Sequence, residues 1–200
     1  MHSMAESATT RAEERRRATS YRISTCAQKL TKEHGFDGFT MEELAEAASV
    51  SRRTLFNYYP SKTDAVLGLP PTLSETSLEQ FRSRGAGSSL LQDLSDLGND
   101  LLNAQELNRE DLTRARGILL ENPRLLAAAH DRFLGLSAQI VEEIRDREGA
   151  AFDAHRAQVA VRLLGAMFDA ALDSFLADPH ERPLADSYDD ALRAARQLLA

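Results

Sequence analysis

The chain has 200 residues, 42% hydrophobic and 28% charged, with a formal net charge of −7, a size that fits one small head and one helical body. Its single cysteine excludes an intrachain disulfide framework, and its five histidines never fall at i, i+3 or i+4, so no metal and no other cofactor is expected. No window holds the roughly 18 apolar residues that cross a bilayer, and the first ten residues lack an apolar signal core, which reads as a soluble cytoplasmic protein with no membrane partner.

In chain order, residues 1–10 are small and polar and read as a disordered tail. The cluster Arg11, Arg15, Arg16, Arg17 then opens the first long helix. Such an arm can follow phosphates or enter a minor groove, or serve as a solvated helix start tempered by Glu13 and Glu14. Ile23, Cys26, Ala27 and Leu30 share one face at helical spacing, and Gly35 is a natural stop after the last turn. Cys26 on that face reads as core filling rather than a redox thiol.

Thr40 with Glu43 forms a Thr-x-x-Glu capping box, and Ser51 caps a second short helix. Ala45 is the small residue that lets two such helices cross steeply, with Leu44, Ala48, Val50, Leu55 and Tyr58 filling the wedge. The pattern is a helix-turn-helix. Its second helix presents Arg52, Arg53, Thr54, Asn57 and Tyr58, residue types that hydrogen-bond phosphates and base edges. Ser61 and Asp64 start a fourth short helix that runs toward Leu67 and is stopped by Pro70-Pro71.

The run from Arg22 to Lys62 resembles the DNA-binding domain of the tetracycline-repressor (TetR) family. The likeness lies in His34-Gly35-Phe36, Phe39-Thr40-Met41, Leu44-Ala45-Glu46-Ala47-Ala48, Val50-Ser51-Arg52-Arg53-Thr54 and Tyr58-Tyr59-Pro60-Ser61-Lys62, about a fifth of the chain. One departure is Ser49, where such motifs usually place glycine; a non-glycine residue at positive φ costs roughly 1 kcal/mol, and the turn is expected to survive it. The resemblance implies DNA contacts at Thr40, Ser51, Arg52, Arg53, Thr54, Asn57, Tyr58, Tyr59 and Lys62. Arg52, Arg53, Asn57 and Tyr58 are expected near bases, the others at phosphates.

Beyond the head, Gly85-Ala-Gly87 follows no strand and has Leu90 where a third glycine would stand, so it reads as a loop rather than a nucleotide site. From Leu90 onward the apolar period is helical: Leu90, Leu94, Leu97 and Leu101 form one stripe, and Asn122-Pro123 restarts a helix that runs to about Arg147. Its inward residues are expected to be Leu126, His130, Phe133, Leu136, Ile140 and Ile144. A break at Gly149 precedes a helix from about Ala154 to Ala177, with Val159, Leu163, Ala166, Met167, Ala170 and Ala171 inward. A last helix spans Leu184 to Leu199.

The fold class is therefore all-α, an N-terminal three-helix helix-turn-helix head (11–68) and a C-terminal helical-bundle regulatory and dimerisation domain (69–200). Charge divides along the same line: residues 1–63 hold 10 Lys/Arg against 8 Asp/Glu, residues 64–200 hold 14 against 23, which confines attraction for a polyanion to the head. Ala166, Ala170, Ala171, Ala191, Ala194 and Ala195 permit close approach of the last two helices to a second copy, or pack the monomer. The resemblance implies a homodimer on a palindromic operator in double-stranded DNA, and an unidentified small apolar or amphipathic effector. Residues expected near that effector are Phe133, Ile140, Leu163, Met167 and Phe168, with His130, Arg162 or Asp169 as polar anchors. No nucleophile elbow, Walker loop or catalytic grouping stands out, so no catalytic residue is named and no enzyme is expected. The competing reading is a helical ligand-binding or interaction protein whose head is vestigial.

Overall fold

The computed structural model describes the backbone of residues 2–103, 108–149, 151–180 and 182–199, and side chains from residue 11 to 198 within those ranges. Ten helices form among them: α1 (His2–His34), α2 (Met41–Ala47), α3 (Arg52–Tyr58), α4 (Lys62–Leu67), α5 (Glu75–Arg84), α6 (Leu90–Asn103), α7 (Arg109–Glu121), α8 (Pro123–Glu148), α9 (Ala154–Ala177) and α10 (Leu184–Leu199). No strand occurs among the described residues, as the helical apolar periods predict. The backbone of residues 2–10, expected as a tail, continues α1. Helix extension adds one hydrogen bond per residue fixed, and the Ala/Glu/Arg-rich run that follows supplies the nucleus; Met1 lies outside the described residues.

Local chemistry sets the boundaries. Ser51, Ser61, Ser74 and Asp153 each accept a backbone N–H of their own helix's first turn, satisfying amides that the helix leaves orphaned. The chain divides into two compact units, residues 1–70 with 114–129, and residues 71–113 with 130–200.

In the first unit Ile23 and Ala27 of α1 pack with Leu44, Ala45, Ala48, Leu55, Ala65 and Val66 in one apolar cluster, which Ile118 of α7 and Leu125 of α8 complete. Cys26 packs against its edge and its thiol donates weakly to the Ala47 carbonyl at 3.6 Å. Gln28 ties three helices: its amide donates to the Val66 carbonyl of α4 at 3.1 Å, and its carbonyl accepts from Arg114 Nε of α7 at 3.2 Å.

The second unit has two apolar clusters. One joins Leu78, Phe81, Leu94, Leu97, Ile144, Ala157 and Val161; the other joins Met167, Ala171, Phe175, Leu184, Tyr188 and Leu192. Gly98 of α6 leaves room for the Tyr188 phenol, which a Cβ would meet at 2.8 Å. An ionic network fastens α5 and α6 to the end of α8. Arg82 grips Glu143 through two parallel bonds of 2.7 and 2.9 Å. Arg147 and Asp93, 0% and 3% exposed at their side chains, pair directly, and Asp93 also accepts from Arg84 at 2.7 Å.

The inward faces of α8 and α9 differ from those the sequence suggested. Leu125 is fully buried while Leu126 is 48% exposed; Phe133, Val159 and Leu163 are exposed by 40% or more, and His130, Ala166 and Ala170 are exposed as well. Both helices are apolar on more than one side, so a 3.6-residue period cannot say which stripe meets the core of the same chain.

Burial alone would push the Asp93 carboxyl up, yet hydrogen bonds from Ser88 and Arg84 and the charges of Arg147 and Arg84 outweigh it and hold the group below its ordinary 3.8. A depressed carboxyl stabilises the fold above that value and loses the contribution as pH falls below it. Thermal melts of Asp93→Asn, taken from neutral to strongly acid pH, should show a flatter acid limb than the unmodified chain. They should also show a loss of about 2 kcal/mol at neutral pH, because the buried Arg147 loses one of its two carboxylates and keeps Glu148 alone.

Candidate nucleic-acid interface

The α2–α3 turn is built by steric necessity. Ala45, 5% exposed, packs in one cluster with Leu44 and Leu55, both at 0%. The Thr40 box is complete: the Thr40 N–H donates to Glu43 Oε2 at 2.7 Å and the Glu43 N–H donates back to Thr40 Oγ1 at 3.2 Å. The backbone N–H and then the hydroxyl of Thr40 hold the Glu43 carboxyl below its ordinary value. Ser49 takes φ +51, the left-handed conformation that favours glycine, and among the described residues no other non-glycine side chain does. Its amide donates to the Glu46 carbonyl and that of Val50 to Ala45, each at 2.9 Å, so the turn closes as expected despite the serine.

With Leu55 facing the core, α3 carries its polar residues outward. Arg52, Arg53 and Asn57 are exposed and Tyr58 is half-buried. Arg52 is partly engaged, since its Nε lies 3.1 Å from Glu42 Oε1 and its guanidinium 5.6 Å from the Phe56 ring centre; an exposed pair of this kind is worth at most about 1 kcal/mol and yields easily to a phosphate. Arg53 makes no ion pair among the described residues, which leaves its planar fork of donors free. Beside α3 lies an open groove of about 390 Å³ lined by Ala12, Arg15, Arg16 and Thr19 of α1 and by Asn57 and Tyr58.

Several residues expected at DNA have other tasks in the head. Tyr59 is 2% exposed, and its hydroxyl meets Ser20 Oγ at 2.5 Å. It pins the end of α3 to α1 instead of pointing to solvent. Lys62 donates to the Phe39 carbonyl at 2.6 Å and lies 4.5 Å from the Phe39 ring centre. Thr40 and Ser51 spend their hydroxyls on caps, and Thr54 pairs with Ser51 Oγ at 2.8 Å. Arg15 and Arg16 enter through their position: Ala12, Arg15, Arg16 and Thr19 recur at i, i+3, i+4 and i+7, which puts them on one face of α1.

The residues expected around an effector do not converge. Met167 and Phe168 belong to the α6–α9–α10 cluster and Ile140 to the other, while His130, Phe133, Arg162, Leu163 and Asp169 are exposed. Among the described residues no group of three His, Cys, Asp or Glu side chains could hold a metal, and no helix is long and apolar enough to cross a membrane.

An all-helical chain with a capped, tightly turned helix pair and a polar second helix facing outward is a DNA-binding protein of the helix-turn-helix class. Residues 25–67 match the model of bacterial regulatory proteins, tetR family. Over 139 residues, 68% of each chain, the sequence is 30% identical to a Mycobacterium tuberculosis (strain ATCC 25618 / H37Rv) protein provisionally assigned as the mycofactocin biosynthesis transcriptional regulator MftR. The chain belongs to the tetR family of transcriptional regulators. Two solved structures share its fold: native NalD, the secondary repressor of the MexAB-OprM multidrug efflux pump in Pseudomonas aeruginosa, at 22% identity, TM-score 0.54, covering 91% of this chain and 96% of that one; and the fatty acid degradation regulator FadR of Bacillus halodurans, at 17% identity, TM-score 0.51, covering 86% and 95%.

Ser49→Gly should raise stability by about 0.5–1 kcal/mol by removing the left-handed strain, and Ser49→Val should lower it by more than that, since a β-branched side chain tolerates positive φ least. Denaturant titration of both variants reads the two signs directly.

Proposed function

We propose that this regulator is a homodimeric repressor that holds a palindromic operator through two copies of α3 and releases it when a small apolar or amphipathic effector binds the body. The observation that carries the DNA half is the exposed, acid-free Arg53 beside exposed Asn57 on a helix whose turn and cap are fully formed. A head kept only as a remnant has no need of a strained Ser49 turn closed by two hydrogen bonds. Arg52, Arg53, Asn57 and Tyr58 read base edges. Thr40, Ser51 and Thr54 stand at the rim as the phosphate-positioning residues. Tyr59 and Lys62 act indirectly, by fixing α3 to α1 and to the Phe39 backbone.

Dimerisation is assigned to α9 and α10. Val159, Leu163, Ala166 and Ala170 follow one another at helical spacing along α9 and are exposed, as are Ala194 and Leu198 of α10. Ala171, Ala191 and Ala195 serve the packing of these helices within the chain. A strip of small and aliphatic residues of this length gives the close helix approach that a four-helix interface between two copies needs. The effector acts by binding the two states of the dimer unequally. Gln28, which joins α1 to α4 and to Arg114 of α7, is the contact through which a shift of α7 is felt at α4. Met167 and Phe168 are the residues assigned to the effector's apolar part.

Selection from a random duplex library should recover a palindrome, bound at least ~10³-fold more tightly than random DNA. Arg53→Ala should relax the base preference at one symmetric position and cost about 1–3 kcal/mol of specific binding while leaving a folded dimer. Unchanged operator affinity in Arg53→Ala, or recovery of no motif, would move the weight to the ligand-binding or interaction reading. In light-scattering measurements Leu163→Glu with Ala170→Glu should convert the dimer to a folded monomer with operator affinity reduced at least tenfold.

A further inference from the structure

We infer that α1 carries a second DNA-contacting element, in which Arg15 and Arg16 clamp the phosphodiester backbone of the strand that borders the groove occupied by α3. The inference deepens the DNA-binding reading above and rests on it. Its ground is the open groove of about 390 Å³ between α1 and α3. Ala12, Arg15, Arg16 and Thr19 of α1 line it together with Asn57 and Tyr58 of α3. No carboxylate lines it among the described residues, and neither arginine makes an ion pair there, although Glu13 and Glu14 are their neighbours in sequence. The Arg16 guanidinium lies 5.9 Å from the Tyr58 ring centre, a cation–π contact that orients it without using its N–H donors.

These features select the occupant. Two cations kept side by side without acidic partners repel each other, and the ring contact of Arg16 uses none of its N–H donors, so their charge is complementary to something outside the fold. A guanidinium fork matches the geometry of a phosphate. The groove is open to solvent, and it adjoins the α3 residues assigned to the major groove. The sugar-phosphate chain at the rim of that groove is therefore within reach. Phosphate contacts fix register without reading sequence, so Arg15 and Arg16 set affinity and salt dependence while Arg53 and Asn57 set preference.

The test is anisotropy titration of the full chain on the selected operator and on a random duplex, over a series of salt concentrations, with Arg15→Gln/Arg16→Gln and Arg15→Lys/Arg16→Lys compared against the unmodified protein. Each phosphate contact adds about 0.9 to the slope of log K against log salt. Because two heads of the dimer each lose two contacts, the glutamine pair should therefore flatten the slope by roughly 3.6 on both duplexes, so that raising salt from ~50 to ~200 mM costs it about 150-fold less affinity than it costs the unmodified dimer. The lysine pair keeps the charge and should keep the slope, and single glutamine variants should each show half the change. Circular dichroism establishes that each variant is folded. An unchanged slope in the folded glutamine pair, or a loss confined to the operator, would overturn the inference. An unmodified chain that selects no operator would overturn the DNA-reading proposal instead, and the slope on random DNA would still test the clamp.

Discussion

Everything the head does depends on the steep crossing of α2 and α3 over Ala45. A larger side chain there would push the helices apart, and Leu44 and Leu55, both fully buried, would lose the contacts that make the pair rigid. Once that wedge is set, the rotation of α3 about its own axis is fixed. With Leu55 inward, Arg53 and Asn57, each two residues away, fall on the opposite side of a 3.6-residue turn and point outward, while Arg52 is exposed at the start of the helix. The turn accommodates the crossing only by carrying Ser49 at φ +51. Packing therefore contributes more here than the roughly 1 kcal/mol the serine costs.

The head is organised around this geometry in layers. Caps at Thr40, Ser51 and Ser61 start three helices within little more than twenty residues, and each satisfies amides that would otherwise face water unpaired. Tyr59 and Lys62, polar at their tips, lock the far end of α3 to α1 and to the Phe39 backbone. The side chains left over, chiefly Arg53 and Asn57 with Arg15 and Arg16 across the groove, keep their N–H donors unspent by the fold, and that freedom is what a DNA surface needs. In the second unit the order is reversed. Charges are drawn inward, with Arg147 and Asp93 buried and paired, and they hold α5, α6 and α8 in one arrangement.

Much of this was legible in the chain itself, because the signals are local. A threonine three residues before a glutamate, a serine before Arg52, Gly35 after the last turn of α1 and Asn122-Pro123 between two apolar runs each act within one helical turn, and the helix boundaries fall where they indicate. What sequence spacing misjudged depends on distant partners. Tyr59 sits among DNA-facing residue types, and the apolar cluster of the head together with Ser20, thirty-nine positions away, makes it a core residue. Lys62 likewise meets Phe39 across twenty-three positions. On α8 and α9 more than one face is apolar, so Leu125 could not be told from Leu126, nor Met167 from Leu163, until the neighbouring helices were in place.

The claim on which the rest stands is that the outward face of α3 enters a major groove. Dimethyl sulfate protection on a bound operator duplex tests it, because guanine N7 lies in the major groove and adenine N3 in the minor. Protection of guanine N7 in two patches about one helical turn apart, roughly 34 Å centre to centre, is the predicted result. Protection confined to adenine N3, or none at any base while the duplex is fully bound, would contradict it.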